Sequence, residues 1–189
     1  MRIIAGRFKA RVLASFQADH IRPTTDRVKE TLFNKWMHSI DGAKVLDLFS
    51  GTGSLGLEAL SRGAVHAQFV EMNLKSIEIL KKNIALLKLM TDEYSIQKSE
   101  VIAYLKKFKG EPYDLILVDP PFTEKMAHDV MQALGQSQCF KSDTLIAIES
   151  QKKERMDDVY YGLYRYDMND YGDKVLSFFK QKGQDVSDV

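Results

Sequence analysis

A single cysteine, Cys139, among 189 residues rules out an internal disulfide and fits a reducing compartment. Histidine is scarce too. His20, His38, His66 and His128 show no metal-ligand spacing with one another or with Cys139, so no metal site is expected. No run approaches the ~20 apolar residues that would cross a bilayer. The opening stretch from Met1 to Lys9 lacks the apolar centre of a signal peptide. The expectation is a cytoplasmic protein with no membrane partner. There is no low-complexity tract and no internal repeat, and the length suits one globular domain. Of only four prolines, two are adjacent, Pro120 and Pro121.

Net charge is +1, unevenly spread. Residues 1–30 hold seven basic side chains (Arg2, Arg7, Lys9, Arg11, Arg22, Arg27, Lys29) against three acidic ones, a local +4 that leaves the rest of the chain at −3. A basic arm on a near-neutral body is the electrostatic footprint of phosphate-backbone contact. Arg27 and Lys29 equally suit an exposed helix face.

Arg2 to Leu13 alternates loosely and is interrupted by Gly6, which predicts a small hairpin. After Arg22-Pro23, Thr24 or Thr25 can cap a helix with Asp26 in its first turn. Val28, Leu32, Phe33 and Trp36 share one face of that helix and read as core. From residue 43 onward strands and helices alternate. Strands are expected near 44–48, 66–71, 94–98, 113–118 and 144–149, and helices near 54–62, 73–90, 100–108 and 124–137. This order implies an α/β fold with a mostly parallel sheet and helices on both faces. Val159 to Asp167 and Lys174 to Gln181 read as two further strands that close the sheet with an antiparallel edge, seven strands in all. The segmentation is a basic hairpin extension over 1–23, the main domain over 24–182, and a frayed polar tail over 183–189.

The apolar run Lys44-Val-Leu-Asp-Leu-Phe49 leads into Ser50-Gly51-Thr52-Gly53-Ser54-Leu55-Gly56 and then a helical segment. Strand, glycine turn and helix are the parts of a nucleotide-binding βαβ unit. The spacing G-x-G-x-x-G also fits an NAD-linked enzyme. Asp47, four residues before the first glycine, opposes that reading, since a carboxylate there repels a pyrophosphate. It suits S-adenosylmethionine, which lacks phosphate and carries a sulfonium and an ammonium. Glu71 closes the second strand twenty positions after Gly51 and can accept from ribose hydroxyls; both cofactors predict it, and a solvated strand end would look the same. Glu100 can accept from an adenine amino group while Val101 packs on the ring, although an acid in a first helical turn is common for dipole reasons alone.

Tyr113-Asp-Leu-Ile-Leu-Val118 reads as a buried strand, followed by Asp119-Pro120-Pro121-Phe122. The prolines exclude helix and strand, so the backbone leaves the sheet stiff and extended. It presents a carboxylate, a carbonyl and an aromatic face, which are the parts needed to hold a planar exocyclic amine. A plain strand end with Phe122 as core filler is the bland alternative.

Four segments together carry a resemblance: Arg2-Ile-Ile-Ala-Gly6, Arg22 to Asn34, Asp47 to Leu60, and Val118-Asp-Pro-Pro-Phe122. Over nearly its whole length the chain resembles the bacterial guanine-N2 methyltransferases of small-subunit ribosomal RNA, the segment from Arg22 to Asn34 being the specific part. Glu100 stands where relatives often carry Asp or Asn. The resemblance implies a Rossmann-like class I methyltransferase that moves a methyl group from S-adenosylmethionine to the N2 amine of a guanine in 16S-type RNA, on the 30S particle. It implies a catalytic Asp119-Pro120-Pro121-Phe122 platform and a cofactor site made by Asp47, Gly51, Gly53, Glu71, Glu100 and Val101. RNA contacts fall to Arg2, Arg7, Lys9, Arg11, Arg22, Arg27 and Lys29, and the protein is expected to be a monomer. Two rivals stay open: an adenine-N6 methyltransferase of RNA or DNA, and a non-catalytic RNA-binding or assembly protein.

Overall fold

The computed structural model describes residues 1–16, 26–123 and 125–182. Arg22, the proposed caps Thr24 and Thr25, and the tail 183–189 lie outside the described residues. Within them the elements run α1 (Asp26–Lys35), β1 (Lys44–Leu48), α2 (Ser54–Ser61), β2 (His66–Glu71), α3 (Leu74–Leu87), β3 (Tyr94–Lys98), α4 (Val101–Lys107), β4 (Tyr113–Val118), α5 (Met126–Gly135), β5 (Phe140–Gln151), β6 (Val159–Tyr160), β7 (Leu163–Asp170) and β8 (Lys174–Gln181).

Among the described residues these strands make one sheet in the order β3-β2-β1-β4-β5-β8-β7-β6. The first five are parallel, and β8 enters antiparallel between β5 and β7. Strand direction explains the composition. Val45, Leu115, Leu117, Ala147, Leu176 and Phe178 face one core with α1, α2 and α3. Leu46, Leu48, Ile116, Val118, Ile146 and Ile148 face the other with α4 and α5. Strands buried on both faces need near-continuous apolar sequence, which is what β1 and β4 have.

Among the described residues the sheet has eight strands rather than the expected seven. Val159 to Asp167 is not one strand, because Tyr161 and Gly162 take φ values of 48° and 86° and turn the chain back. Two successive positive-φ residues are the signature of a tight hairpin turn. β5 also starts earlier and ends later than expected.

The N-terminal segment is a hairpin only in outline. One antiparallel bridge, Arg2 with Val12, is supplemented by Ile3 N–H to Arg11 O (3.0 Å) and Leu13 N–H to Met1 O (3.0 Å). Its side chains are not an appendage: Ile3 and Leu13 are buried in the same core as α1 and α2. Gly6 adopts φ +81°, and a Cβ there would lie 1.7 Å from the Ser61 carbonyl oxygen, so the loop can close on the end of α2 only through glycine. Glu58, fully buried in α2, accepts from Ile4 N–H (2.8 Å) and Ala5 N–H (3.1 Å), which fastens the segment along that helix.

Candidate active site

Strand order reverses between β1 and β4, and ligands of open α/β sheets bind in the crevice at the carboxyl ends of such a pair. Both singled-out motifs lie there, the glycine loop after β1 and Asp119 to Phe122 after β4. The loop is shaped by backbone rather than side-chain caps. Gly51 and Gly53 take φ values of 53° and 90°, Gly53 N–H donates to Ser50 O (2.7 Å), and a Cβ on Gly53 would strike Leu80. Phe49 also adopts a positive φ of 60°, costly for an aromatic residue and located where β1 hands over to the loop.

The carboxylates fall into register. Asp47 pairs with Phe69 and Leu117, and Leu117 with Ala147. Two residues further along, on the same face, stand Glu71, Asp119 and Glu149. The consequence is electrostatic. Burial pushes the Asp47 carboxyl up to about 8, against the hydrogen bond its Oδ2 accepts from Gly56 N–H (2.8 Å), and the Asp119 and Glu71 charges add to the rise. Burial, followed by the charge of Asp119, raises Glu149 as well. Glu149 is already paired with Lys174, and the other acids of the row, Asp47, Glu71 and Asp119, favour a cation.

Glu71 accepts from Gly51 N–H (2.9 Å) and Asn73 N–H (2.7 Å), so it sits at the rim of the glycine loop with lone pairs to spare. Glu100 is the N-cap of α4, accepting from Ile102 N–H (3.1 Å) and Ala103 N–H (2.7 Å). Val101 is buried in the α4–α5 core. Pro120 is buried, Pro121 is exposed, and Phe122 keeps 38% of its surface in solvent. Its ring is therefore not core filler.

The basic residues are less united. Lys29 is fully buried: its Nζ donates to Arg2 O (2.7 Å) and stands 3.7 Å from Glu58 Oε2. Burial lowers its pKa against the pull of Glu58. The expectation of a surface phosphate contact is overturned for Lys29, whose charge is spent joining α1, α2 and the N-terminal segment. Arg7, paired with Glu93, and Lys9 lie at the end of the segment that packs on Ser61, the carboxyl end of α2. That places them at the edge of the sheet away from the crevice. Arg2 is exposed and bonded to Asp26 (2.9 Å), and Arg11 is exposed. Arg27 lies nearer the crevice, its guanidinium 5.8 Å from the Tyr171 ring centroid at the β7–β8 turn.

Several residues here escaped the sequence reading. Asn83, fully buried in α3, donates to Thr52 O (2.9 Å) and Ala14 O (3.0 Å), tying the glycine loop to the N-terminal segment. A polar residue among the apolar positions of α3 was the available signal. Lys152 and Lys153 follow the carboxyl end of β5, beside Phe122. Ser50 Oγ and Ser54 Oγ, flanking the two loop glycines, are buried without a hydrogen-bond partner among the described residues. Both hydroxyls keep hydrogen-bonding capacity beside the glycine loop. Together with the acid row they fit a cationic nucleoside.

The fold and this crevice define a Rossmann-like, S-adenosylmethionine-dependent methyltransferase. A family model described as "Conserved hypothetical protein 95" matches residues 1–180, and the chain belongs to that family. Its relatives include "Ribosomal RNA small subunit methyltransferase D" of Haemophilus influenzae, 38% identical over 80% of this chain and 79% of that protein. "Putative rRNA methyltransferase YlbH" of Bacillus subtilis is 32% identical over 97% of this chain and the whole of that protein. Among solved structures, the putative methyltransferase yhhF of Escherichia coli superposes with a TM-score of 0.85 at 34% identity, covering 97% of this chain and 99% of that one.

Proposed function

We propose that this protein methylates the exocyclic N2 amine of a guanine in small-subunit ribosomal RNA, acting in the cytoplasm as a monomer on the 30S particle. The observation that carries the reading is the position of Asp119 to Phe122 directly across the β1–β4 crevice from the glycine loop. S-adenosylmethionine, when bound, supplies an electrophilic methyl group. Asp47, Gly51, Gly53 and Glu71 hold it, with the acid row favouring its two positive charges; Glu100 and Val101 border the adenine end.

The N2 lone pair of guanine is delocalised into the ring and is a poor nucleophile. The Asp119 carboxylate and the Pro120 carbonyl accept its two N–H bonds, which favours a pyramidal nitrogen with its lone pair directed at the methyl group. Pro121 contributes no N–H to compete for that carbonyl and fixes its direction. Phe122 stacks on a guanine lifted from its neighbours, as chemistry on a base requires. Much of the acceleration comes from alignment, worth up to ~7–11 kcal/mol in ideal cases. The methylated amine is acidic enough to lose its proton without a strong base. Arg27, with Arg2 and Arg11, contacts RNA phosphates, and Lys152 and Lys153 extend that basic rim.

The test is transfer of labelled methyl from S-adenosylmethionine to small ribosomal particles from cells lacking the enzyme, with nucleoside analysis after digestion. Label in N2-methylguanosine is expected. Label in N6-methyladenosine would keep the site and overturn the acceptor.

A further inference from the structure

Two charged residues outside the platform are buried beside it. Glu149 is 3% exposed and Lys174 is 6% exposed. Lys174 Nζ donates to Glu149 Oε1 and also lies over the Phe122 ring, 4.6 Å from its centroid. The sheet dictates the arrangement. Glu149 pairs with Leu176 and Gln151 with Lys174, so Glu149 and Lys174 are diagonal neighbours on one face, next to the strand that leads into Asp119.

We propose that Glu149 and Lys174 form a positioning couple for the catalytic platform: Lys174 backs one face of Phe122, Glu149 holds Lys174 in place, and the opposite face of the ring stays presented to the acceptor base. The proposal rests on Phe122 being the surface on which that base stacks.

A buried ion pair is a poor device for stability alone, because two apolar residues of similar size would serve as well or better. Its retention at the carboxyl edge of the sheet, rather than within the core, needs another explanation. Phe122 supplies it. The ring stands on a segment outside any strand or helix, behind two prolines that fix the backbone but not the side-chain rotamer. Beside it lies a cavity of about 340 Å³, lined by Phe122, Lys174, Lys152, Lys153 and Asp173 among others. Without a contact on its inner face the ring has room to swing into that cavity, out of line with Asp119. An ammonium over the ring face provides the contact, and it is strongest when desolvated, as here. The charge in turn needs Glu149, whose second oxygen has no partner among the described residues and whose carboxylate is thereby committed to Lys174.

The experiment reads ring position and turnover separately. In Phe122→Trp, acrylamide quenching reports position 122, since the other tryptophan, Trp36, is only 1% exposed. Adding Lys174→Met is expected to change the quenching constant about twofold or more, and Lys174→Arg to restore it. In the Phe122 enzyme, Lys174→Met is expected to lower kcat/KM for ribosomal particles about tenfold, the scale of one lost cation–π contact. The affinity for S-adenosylmethionine should stay within about twofold, and Lys174→Arg should recover most of the loss. Should Lys174→Met fail to fold with Glu149 left unpaired, the double variant Glu149→Gln/Lys174→Met keeps a neutral pair and should show the same displaced ring. Unchanged quenching and unchanged kcat/KM in a folded Lys174→Met variant overturn the proposal, as does an arginine variant no better than the methionine one. If the wild-type protein methylates no particle, the acceptor reading fails, while the quenching comparison still decides the placement of Phe122.

Discussion

Asp47 Oδ2 accepts a hydrogen bond from Gly56 N–H at 2.8 Å, so the last residue of the glycine motif is anchored to the strand that precedes it. A Cβ at Gly56 would lie 3.0 Å from that same oxygen and 2.4 Å from the Phe69 ring, which leaves no room for a side chain. The carboxyl is fully buried, and its pKa is pushed up to about 8.

The sign of the resulting pH dependence follows from linkage. Between 3.8 and about 8 the folded protein holds a proton on Asp47 that the unfolded chain has released. This contribution to stability is therefore complete below the unfolded value and is lost as pH rises through about 8. Urea unfolding at about pH 5 and about pH 8 should show a larger loss of stability in the wild type than in Asp47→Asn. Under the proposed cofactor site the cation draws the proton off, so S-adenosylmethionine affinity should climb with pH toward about 8 and then level. Calorimetric titration should find that slope flattened in Asp47→Asn.

Gly6→Ala forces a methyl group into the Ser61 carbonyl at a positive φ. The cost should be about 3 kcal/mol or more. Gly42 supplies the control: it has φ +76° but nothing within 4 Å of where a Cβ would stand, so Gly42→Ala should lose only ~1 kcal/mol. Denaturant midpoints of the two variants measure the difference directly.

Lys29 and Arg27 are two residues apart and should behave oppositely. Lys29→Met removes a buried cation, leaves Arg2 O unpaired and Glu58 short of one positive neighbour, and should destabilise by ~3–5 kcal/mol. Arg27→Ala should leave stability within ~0.5 kcal/mol. Under the proposed RNA contact it should also lower the salt slope of RNA binding by about one. Filter binding over a range of salt concentrations, beside urea melts, separates the two.

Asp119→Ala should retain the cofactor and lose ~10²–10³-fold in methyl transfer, the scale of removing one preorganised polar partner. Phe122→Ala should cost ~1–3 kcal/mol of base stacking, roughly 5- to 150-fold in kcat/KM. Single-turnover transfer at saturating cofactor reads both.

The parallel half of the fold was legible because strands buried on both faces must be apolar throughout and the turns between them must carry glycine or proline. β1, β2, β3 and β4 match their expected bounds residue for residue. Legibility failed where a local pattern had two tertiary outcomes. Val159 to Asp167 has strand composition on both sides of Tyr161-Gly162, and only the pairing partner shows that the chain doubles back there. Its charge alone points Lys29 toward solvent. Yet it stands three, four and seven residues before Leu32, Phe33 and Trp36, on the buried stripe itself, and spacing was the better guide. Glu149 and Lys174 lie 25 residues apart in different strands, a pairing that no local window contains.

Among the described residues β8 comes last in the sequence, yet it lies inside the sheet, flanked by β5 and β7. Nothing synthesised earlier can take its place. A growing polypeptide therefore holds the crevice incomplete, with the edge of β5 unpaired and Glu149 lacking its cation, until residues 174–181 clear the exit tunnel. The sheet beside Asp119 to Phe122 is complete only once β8 has been made, so a chain truncated before residue 174 should expose an open β edge to chaperones.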